Sequence, residues 1–98
     1  MPWFTVETHY TENRERLDAT RPAHREYLMD LAEKGKVLAG GPYADDLAGF
    51  AVYRVADIDE LNLLLAADPY TTEEIADRRV VQEWIITLGP WSEESDDQ

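Results

Sequence analysis

The chain has two histidines, and one of them, His24, could work with a carboxylate. His24 lies in the segment Arg21–His24 (Arg-Pro-Ala-His), where an amphipathic helical pattern begins, and Asp68 ends a second helical pattern. A carboxylate that contacts an imidazole fixes the tautomer of the ring and raises its basicity, which is the minimum requirement for general acid–base catalysis. We therefore predict that His24 and Asp68 form a catalytic pair, provided that folding brings them together.

Both residues also have structural interpretations. An isolated histidine in a helix is usually a surface or boundary residue, but His24 shares a helical stripe with Leu28 and Leu31 and should lie at the edge that faces a sheet. Asp68 precedes a proline, and Asp before Pro commonly starts a turn because its side chain accepts hydrogen bonds from backbone N–H groups of that turn. The sequence leaves both roles of Asp68 open.

Three nearby residues are candidates for substrate binding. Arg21 could hold a substrate carboxylate through two parallel hydrogen bonds, or it could pair with Asp18 or Glu26. Tyr70 could donate its hydroxyl group to a ligand or pack its ring in the core. Gly41, the second of two glycines before a proline, could let a ligand approach the backbone closely.

Several kinds of site are excluded. The chain has no cysteine, so disulfides, thiolate zinc sites and a cysteine nucleophile are impossible. His9 lies beside Glu7 on a predicted strand, but no His-x-His or His-x-x-x-His spacing occurs, and we expect no metal. The glycines match no phosphate-binding loop and no Gly-x-Ser-x-Gly motif is present, so we expect neither a nucleotide cofactor nor a serine hydrolase.

Length and charge limit the class of protein. The chain of 98 residues, 44% of them hydrophobic, is predicted to form one domain over residues 1–89. Residues 90–98 carry four acids and no base, and we expect a disordered acidic tail. The net charge of −12 argues against nucleic-acid and anionic-membrane partners. The first residues lack the pattern of a secretion signal and no apolar run could span a bilayer, so we expect a cytoplasmic location.

Alternating and helical patterns predict the elements that position these residues. The first helix is clear from Pro22 to its end at Gly35, and the polar segment Thr11–Arg21 is ambiguous, with a helical turn or two before Pro22 left open. The second helix should span Ile58–Ala67 after the N-cap Asp57. The predicted strands are Trp3–Tyr10, Val37–Ala39, Gly49–Val55 and Val80–Leu88. The order β-α-β-β-α-β predicts an α+β, ferredoxin-like fold, in which both helices cover one face of a four-stranded antiparallel sheet.

The other face of this sheet should also be buried. In the last predicted strand, Val80 and Trp84 point to one side and Val81 and Ile85 to the other, so neither side is polar. Two short helices can cover only one of these faces. We predict that the helix-free face packs against a second copy of the chain, in a homodimer or a larger homo-oligomer.

Three motifs together resemble the YCII-related (YciI-like) domain family. They are the segments Arg21–His24, Gly35–Pro42 and Asp68–Tyr70, and the resemblance covers nearly all of residues 2–89. It implies a dimeric α/β-barrel fold related to muconolactone isomerase-like proteins, with an active site built from His24 and Asp68. One relative is linked to the removal of chloride from a chlorinated hydroxyhydroquinone, which implies small aromatic or enol-type substrates.

The leading hypothesis is therefore a small cofactor-free enzyme of the lyase, isomerase or dehydrochlorinase type. His24 would transfer a proton on a small phenolic, enol or lactone-like substrate, and Asp68 would orient the imidazole. One alternative is a non-catalytic metabolite-binding or accessory domain in which the pair is a structural clamp. Another is a dimeric scaffold, which predicts that no pocket lies beside His24.

Overall fold

The fold is a four-stranded antiparallel sheet with its helices on one face, seen in a computed structural model that describes residues 1–94. The strands are β1 (Trp3–Tyr10), β2 (Val37–Pro42), β3 (Ala48–Arg54) and β4 (Ala76–Trp84), and the helices are α1 (Arg14–Glu33), α2 (Ile58–Ala67) and α3 (Pro69–Thr72). The sheet order is β2-β3-β1-β4. The predicted ferredoxin-like fold is confirmed.

The hydrophobic core lies between the sheet and the two longer helices. Alternation along β1 turns Phe4 and Val6 toward the helices, where they pack with Leu31 of α1 and Leu61 of α2. All four side chains are buried, the last of them completely. Because side chains alternate along a strand, Trp3 faces the opposite, helix-free side.

Helix α1 begins eight residues before Pro22, within the segment that the sequence left ambiguous. Its N-cap is Asn13, whose side chain accepts a hydrogen bond of 3.1 Å from a backbone N–H in the first turn. Pro22 lies inside the helix, on its exposed side, although an interior proline removes a hydrogen bond and costs about 3 kcal/mol. The fully buried Leu17 anchors the turns before this proline. His24 consequently lies in the middle of the helix, and the prediction that it belongs to the opening turn is wrong.

Strand β4 ends earlier than the predicted strand Val80–Leu88. It spans Ala76–Trp84, and its residues pair with those of β1 along the whole length of that strand. The chain then leaves the sheet and crosses its helix-free face, where Ile86 and Trp91 cover Trp3. Ile86 and Trp91 therefore pack onto the sheet instead of extending it, whereas Ile85 and Leu88 are exposed.

Part of the predicted acidic tail has a defined structure. Pro90–Glu94 form a 3-10 helix, and the rings of Trp91 and Trp3 lie 5.8 Å apart. These residues belong to the segment for which the sequence predicts disorder, and the rest of that segment, residues 95–98, lies outside the described part. No helix within residues 1–94 is both long enough and apolar enough to span a membrane.

Candidate active site

The structure brings His24 and Asp68 into contact. His24 Nδ1 lies 2.7 Å from Asp68 Oδ1. A carboxylate can only accept hydrogen bonds, so this contact places a proton on Nδ1. Within residues 1–94, no protein atom is hydrogen-bonded to Nε2. The imidazole therefore has one nitrogen fixed by the protein and one available to a ligand.

Asp68 also performs the structural role that the sequence allowed. It ends α2 and caps α3, and its Oδ1 accepts a hydrogen bond of 2.9 Å from the backbone N–H of Tyr70. Its Oδ2 accepts a hydrogen bond of 3.2 Å from Arg79 Nη2 on β4. The residue is 1% exposed, so these groups replace its hydration shell. One carboxylate thus joins His24 to three other elements.

Tyr70 fixes the plane of the His24 ring. The two rings are parallel within 1°, and their centroids are 3.6 Å apart. The Tyr70 hydroxyl accepts a hydrogen bond of 3.3 Å from Arg21 Nε, and its ring meets the ring of Tyr10 edge-on at 5.5 Å. Burial raises the pKa of Tyr10 to about 12, which keeps this cavity-lining hydroxyl protonated at neutral pH. Tyr70 is 2% exposed and acts through its ring as well as its hydroxyl.

Arg21 is paired with neither Asp18 nor Glu26. Its Nη2 lies 2.8 Å from Oδ1 of Asp46, in the loop between β2 and β3, and Arg14 contacts Oδ2 of the same carboxylate. The hydrogen bond with Arg21 holds the pKa of Asp46 below its usual value and raises the pKa of Arg21. Arg21 is therefore already bound to a carboxylate of its own chain, and this disfavours the predicted binding of a substrate carboxylate by Arg21.

A cavity of about 300 Å³ lies beside the His24–Asp68 pair. Helix α1, the four strands of the sheet and the segment from Asp68 to Tyr70 form its walls. All five residues that the sequence singled out border it: His24, Asp68, Arg21, Gly41 and Tyr70. The scaffold hypothesis predicted no pocket beside His24 and is wrong.

Glycines keep one wall of this cavity flat. A Cβ atom added at Gly49 would lie 2.2 Å from the hydroxyl oxygen of Tyr10, and one added at Gly40 would lie 3.2 Å from Cβ of Ala51. At Gly41 an added Cβ would meet nothing within 4 Å. Gly41 pairs with Phe50, so its side-chain position faces the helix-free side, and Gly41 borders the cavity with its backbone, where the sequence predicted the approach of a ligand.

The lining of the cavity is more basic than the protein as a whole. Although the chain carries a net charge of −12, three of its nine basic residues line the cavity, and Asp68 is the one carboxylate among the described lining residues. Such a surplus of positive charge favours an anionic ligand. Among residues 1–94 no cluster of three or more His, Asp or Glu side chains could hold a metal ion. The basic lining residues are Arg21, Arg25 and Arg79.

Sequence reasoning missed several contributors to the site, among them Tyr10, Arg79 and Asp46. Tyr10 could have been found, since it continues the alternation of Val6 and Thr8 on the helix-covered side of β1. Arg79 reaches Asp68 only because β4 pairs with β1 in a particular register, and Asp46 reaches α1 from a loop. Neither contact leaves a motif in the sequence.

Comparison with known proteins identifies the family. The family model of the YCII-related domain matches residues 1–85, and the chain belongs to the YCII-related domain family. The resemblance seen in the sequence is thereby confirmed. A search of curated proteins finds no match.

Two solved structures are similar to this chain. The first is 5-chloro-2-hydroxyhydroquinone dehydrochlorinase (TftG) from Burkholderia phenoliruptrix AC1100, in complex with 2,5-dihydroxybenzoquinone. It has a TM-score of 0.71 and 25% sequence identity, over 84% of this chain and 92% of that chain. The second is an antibiotic biosynthesis monooxygenase with a TM-score of 0.58 and 15% identity, over 92% of this chain and 100% of that chain. The second shows the fold alone, and the first supports a small enzyme-like domain.

Proposed function

We propose that this protein is a small enzyme that eliminates a leaving group from a phenolic or enolic substrate, or isomerises such a substrate, with His24 as general base and acid. The observation that carries the proposal is the 2.7 Å contact between His24 Nδ1 and Asp68, which leaves Nε2 beside the cavity without a partner among residues 1–94. The similarity to TftG, a dehydrochlorinase that binds 2,5-dihydroxybenzoquinone, supports the same class of substrate.

The reaction can be written for a chlorinated polyhydroxybenzene with one proton-transfer group. His24 Nε2 accepts a proton from a ring hydroxyl and returns it to the carbon that bears chlorine, which gives a keto tautomer. Nε2 then removes the proton of a second hydroxyl, a second carbonyl forms, and the C–Cl bond breaks as chloride leaves with its electron pair. The products are a quinone and HCl, so no external oxidant is needed. An isomerase would carry out only the first of these steps, in which a proton moves from the hydroxyl to carbon.

Asp68 supports each of these proton transfers without contacting the substrate. Its carboxylate stabilises the imidazolium that forms when Nε2 accepts a proton, and its hydrogen bond keeps the other ring proton on Nδ1. One positioned acid–base group contributes about 10²- to 10⁴-fold in rate. That contribution suits an activated substrate such as a halogenated quinol, and it is too small for amide hydrolysis.

The proposal is tested with the variant His24→Asn. Small phenols, lactones and halogenated quinols are screened with the unaltered protein, and the variant is then assayed on any substrate found. We expect a loss of about 100-fold or more in kcat, with the fold preserved by circular dichroism. An active His24→Asn variant would show that the mechanism is wrong.

The other histidine provides a matched control. His9 Nε2 lies 2.9 Å from Glu7 Oε2, so this is a second histidine–carboxylate pair, but it lies on the helix-free side of the sheet and outside the cavity. His9→Asn should retain activity within about twofold, since it removes an imidazole without touching the proposed proton path. Equal losses in the two variants would point to a general effect on folding.

A non-catalytic metabolite-binding domain is the second candidate, and one observation favours it. Asp68 holds Tyr70 and Arg79 in addition to His24, so the pair also clamps the turn after α2 to the sheet. This candidate predicts that small phenols bind in the cavity and that none is converted. Turnover that is lost in His24→Asn would exclude it.

We also propose that the helix-free face of the sheet packs against a second copy of the chain. The segment after β4 covers one end of this face, at Trp3, but Phe50 and Trp84 on the same face remain 37% and 38% exposed. Tyr43, itself 42% exposed, stacks on Phe50 with ring centroids 6.4 Å apart. Exposed aromatic side chains grouped on one surface are typical of an interface.

Sedimentation tests this assembly. The unaltered protein should be a dimer or larger at micromolar concentration, and Trp84→Asp should shift it toward the monomer because a charge is introduced into the apolar contact. Leu63→Asp is the control, since Leu63 is 73% exposed on α2, away from the sheet. A monomeric unaltered protein would contradict the proposal.

A further inference from the structure

Arg25 is the one arginine of the cavity that has no hydrogen-bond or ion-pair partner in the described part of the chain. Arg21 is held by Asp46 at 2.8 Å, and Arg79 is held by Asp68 at 3.2 Å. Arg25 also lines the cavity, and within residues 1–94 it forms neither a hydrogen bond nor an ion pair. A guanidinium carries five N–H donors that match oxygen anions, so an unpaired arginine at a cavity can receive the charge of a ligand.

The position of Arg25 places this charge at the mouth of the cavity. Residues 21, 24, 25, 28 and 29 of α1 all line the cavity, which is the spacing of one face of a helix. Arg25 is exposed, whereas His24 is only partly exposed and lies deeper. The charge of Arg25 is close enough to Tyr10 to oppose the rise in the Tyr10 pKa that burial causes. Arg25 therefore acts on the interior of the cavity as well as on solvent.

The shape of the cavity limits the ligand further. Its volume is about 300 Å³, and the small residues Gly40 and Ala51 lie side by side on its sheet wall. Residues without large side chains leave a surface on which a flat ring can lie. One planar ring that carries oxygen atoms fits this volume, this wall and the surplus of positive charge.

We propose that the substrate is a one-ring planar anion, an ionised phenol or enol, and that Arg25 binds its negatively charged oxygen at the mouth of the cavity while His24 transfers the proton. This inference rests on the proposed function, and it adds the charge of the substrate and the residue that selects it. Arg25 takes the role that the sequence suggested for Arg21, because Asp46 occupies Arg21.

Two probes distinguish recognition of the charge of the ligand from recognition of its ring. 2,5-Dihydroxybenzoquinone is a vinylogous acid, because each hydroxyl is conjugated with a carbonyl group, and it is an anion at neutral pH. 2,5-Dimethoxybenzoquinone has the same ring and no ionisable hydroxyl. Titration calorimetry with both probes is carried out on the unaltered protein, on Arg25→Gln and on Arg16→Gln. Arg16 is the charge-matched control, since it is an exposed arginine on the same helix that does not line this cavity.

We expect the unaltered protein to prefer the anion. Arg25→Gln should weaken binding of the anion by about 5- to 20-fold, as expected for the loss of a charge-assisted hydrogen bond at a partly exposed site. It should leave binding of the dimethoxy probe within twofold, and Arg16→Gln should leave both probes within twofold. Added salt should reduce the preference for the anion, because the contact is near solvent.

Three results would overturn the inference. They are equal effects of Arg25→Gln and Arg16→Gln, equal weakening of both probes by Arg25→Gln, and no preference for the anion in the unaltered protein. The assay reads binding and not turnover, so it is independent of catalysis by His24. If His24→Asn kept full activity while Arg25→Gln bound the anionic probe more weakly, the proposed mechanism would fail and the role of Arg25 would stand.

Discussion

The replacement Asp68→Ala should be one of the most destabilising single changes in this chain. The carboxylate is 1% exposed and accepts hydrogen bonds from His24, from the backbone of Tyr70 and from Arg79. Removing one partner of a buried ion pair costs about 3–5 kcal/mol, because the remaining charge is left uncompensated. The Arg79 side chain is 15% exposed and also donates to hydroxyl groups of two threonines, so we expect the lower end of this range, about 3 kcal/mol.

Thermal and urea unfolding at one fixed protein concentration measure this cost. In a domain of this size, 1 kcal/mol corresponds to a change of about 4–8 °C in Tm, so Asp68→Ala should lower Tm by at least about 12 °C. Asp68→Asn should lower the stability less than Asp68→Ala, since its amide oxygen can still accept a hydrogen bond from the N–H of Tyr70. It should still lower the stability, because the negative charge facing Arg79 is lost. A Tm of Asp68→Ala within about 4 °C of the unaltered protein would refute the clamp that we describe.

Two further predictions concern the rim of the site. Gly49→Ala should destabilise the fold by about 1–3 kcal/mol in urea unfolding, since the new Cβ would lie 2.2 Å from the Tyr10 hydroxyl, whereas Gly41→Ala meets nothing within 4 Å and should be nearly neutral. Equal effects of these two changes would contradict the packing. The pKa of Asp46 lies below its unfolded value because Arg21 binds it, so its contribution to stability is present above about pH 4 and is lost as the pH falls further. Asp46→Asn should therefore be less stable than the unaltered protein at pH 7, and the difference should shrink as the pH falls below about 4; a difference that is constant with pH would argue against the pair.

Much of the fold could be predicted because its signals are local. Alternation of apolar and polar residues gave β1 at Trp3–Tyr10, and the N-cap Asp57 with a leucine-rich stripe gave α2 at Ile58–Ala67, both with the bounds that the structure has. Turn residues and element order then left few topologies to consider. The family could be predicted because its motifs are short, ordered and contiguous.

The two misplaced elements show where local signals compete with packing. Pro22 predicted the start of a helix, but burial of Leu17 stabilises the turns before it enough to carry the helix through the proline. The apolar run after Trp84 predicted a strand, but the chain has left the sheet there and Ile86 packs on its helix-free face. In both cases the deciding contact is made with residues distant in the sequence.

The site was predictable in its residue types and not in its connections. An imidazole and a carboxylate at the ends of helical patterns suggested acid–base chemistry, and the structure brings them to 2.7 Å. The partners of Arg21 and Asp68 are side chains on a distant loop and on β4, so they depend on loop conformation and strand register. That Arg25 has no partner among residues 1–94 could likewise be seen only in the structure.

A crystal structure of the complex with 2,5-dihydroxybenzoquinone would test the central claim most directly. The claim is that His24 Nε2 is the atom that exchanges protons with the ligand. We predict that the ring lies in the cavity with an oxygen atom about 2.6–3.2 Å from Nε2, while the contact between Nδ1 and Asp68 is kept. A ligand bound in the cavity with no atom within reach of Nε2, or a His24 ring turned away from Asp68, would contradict it.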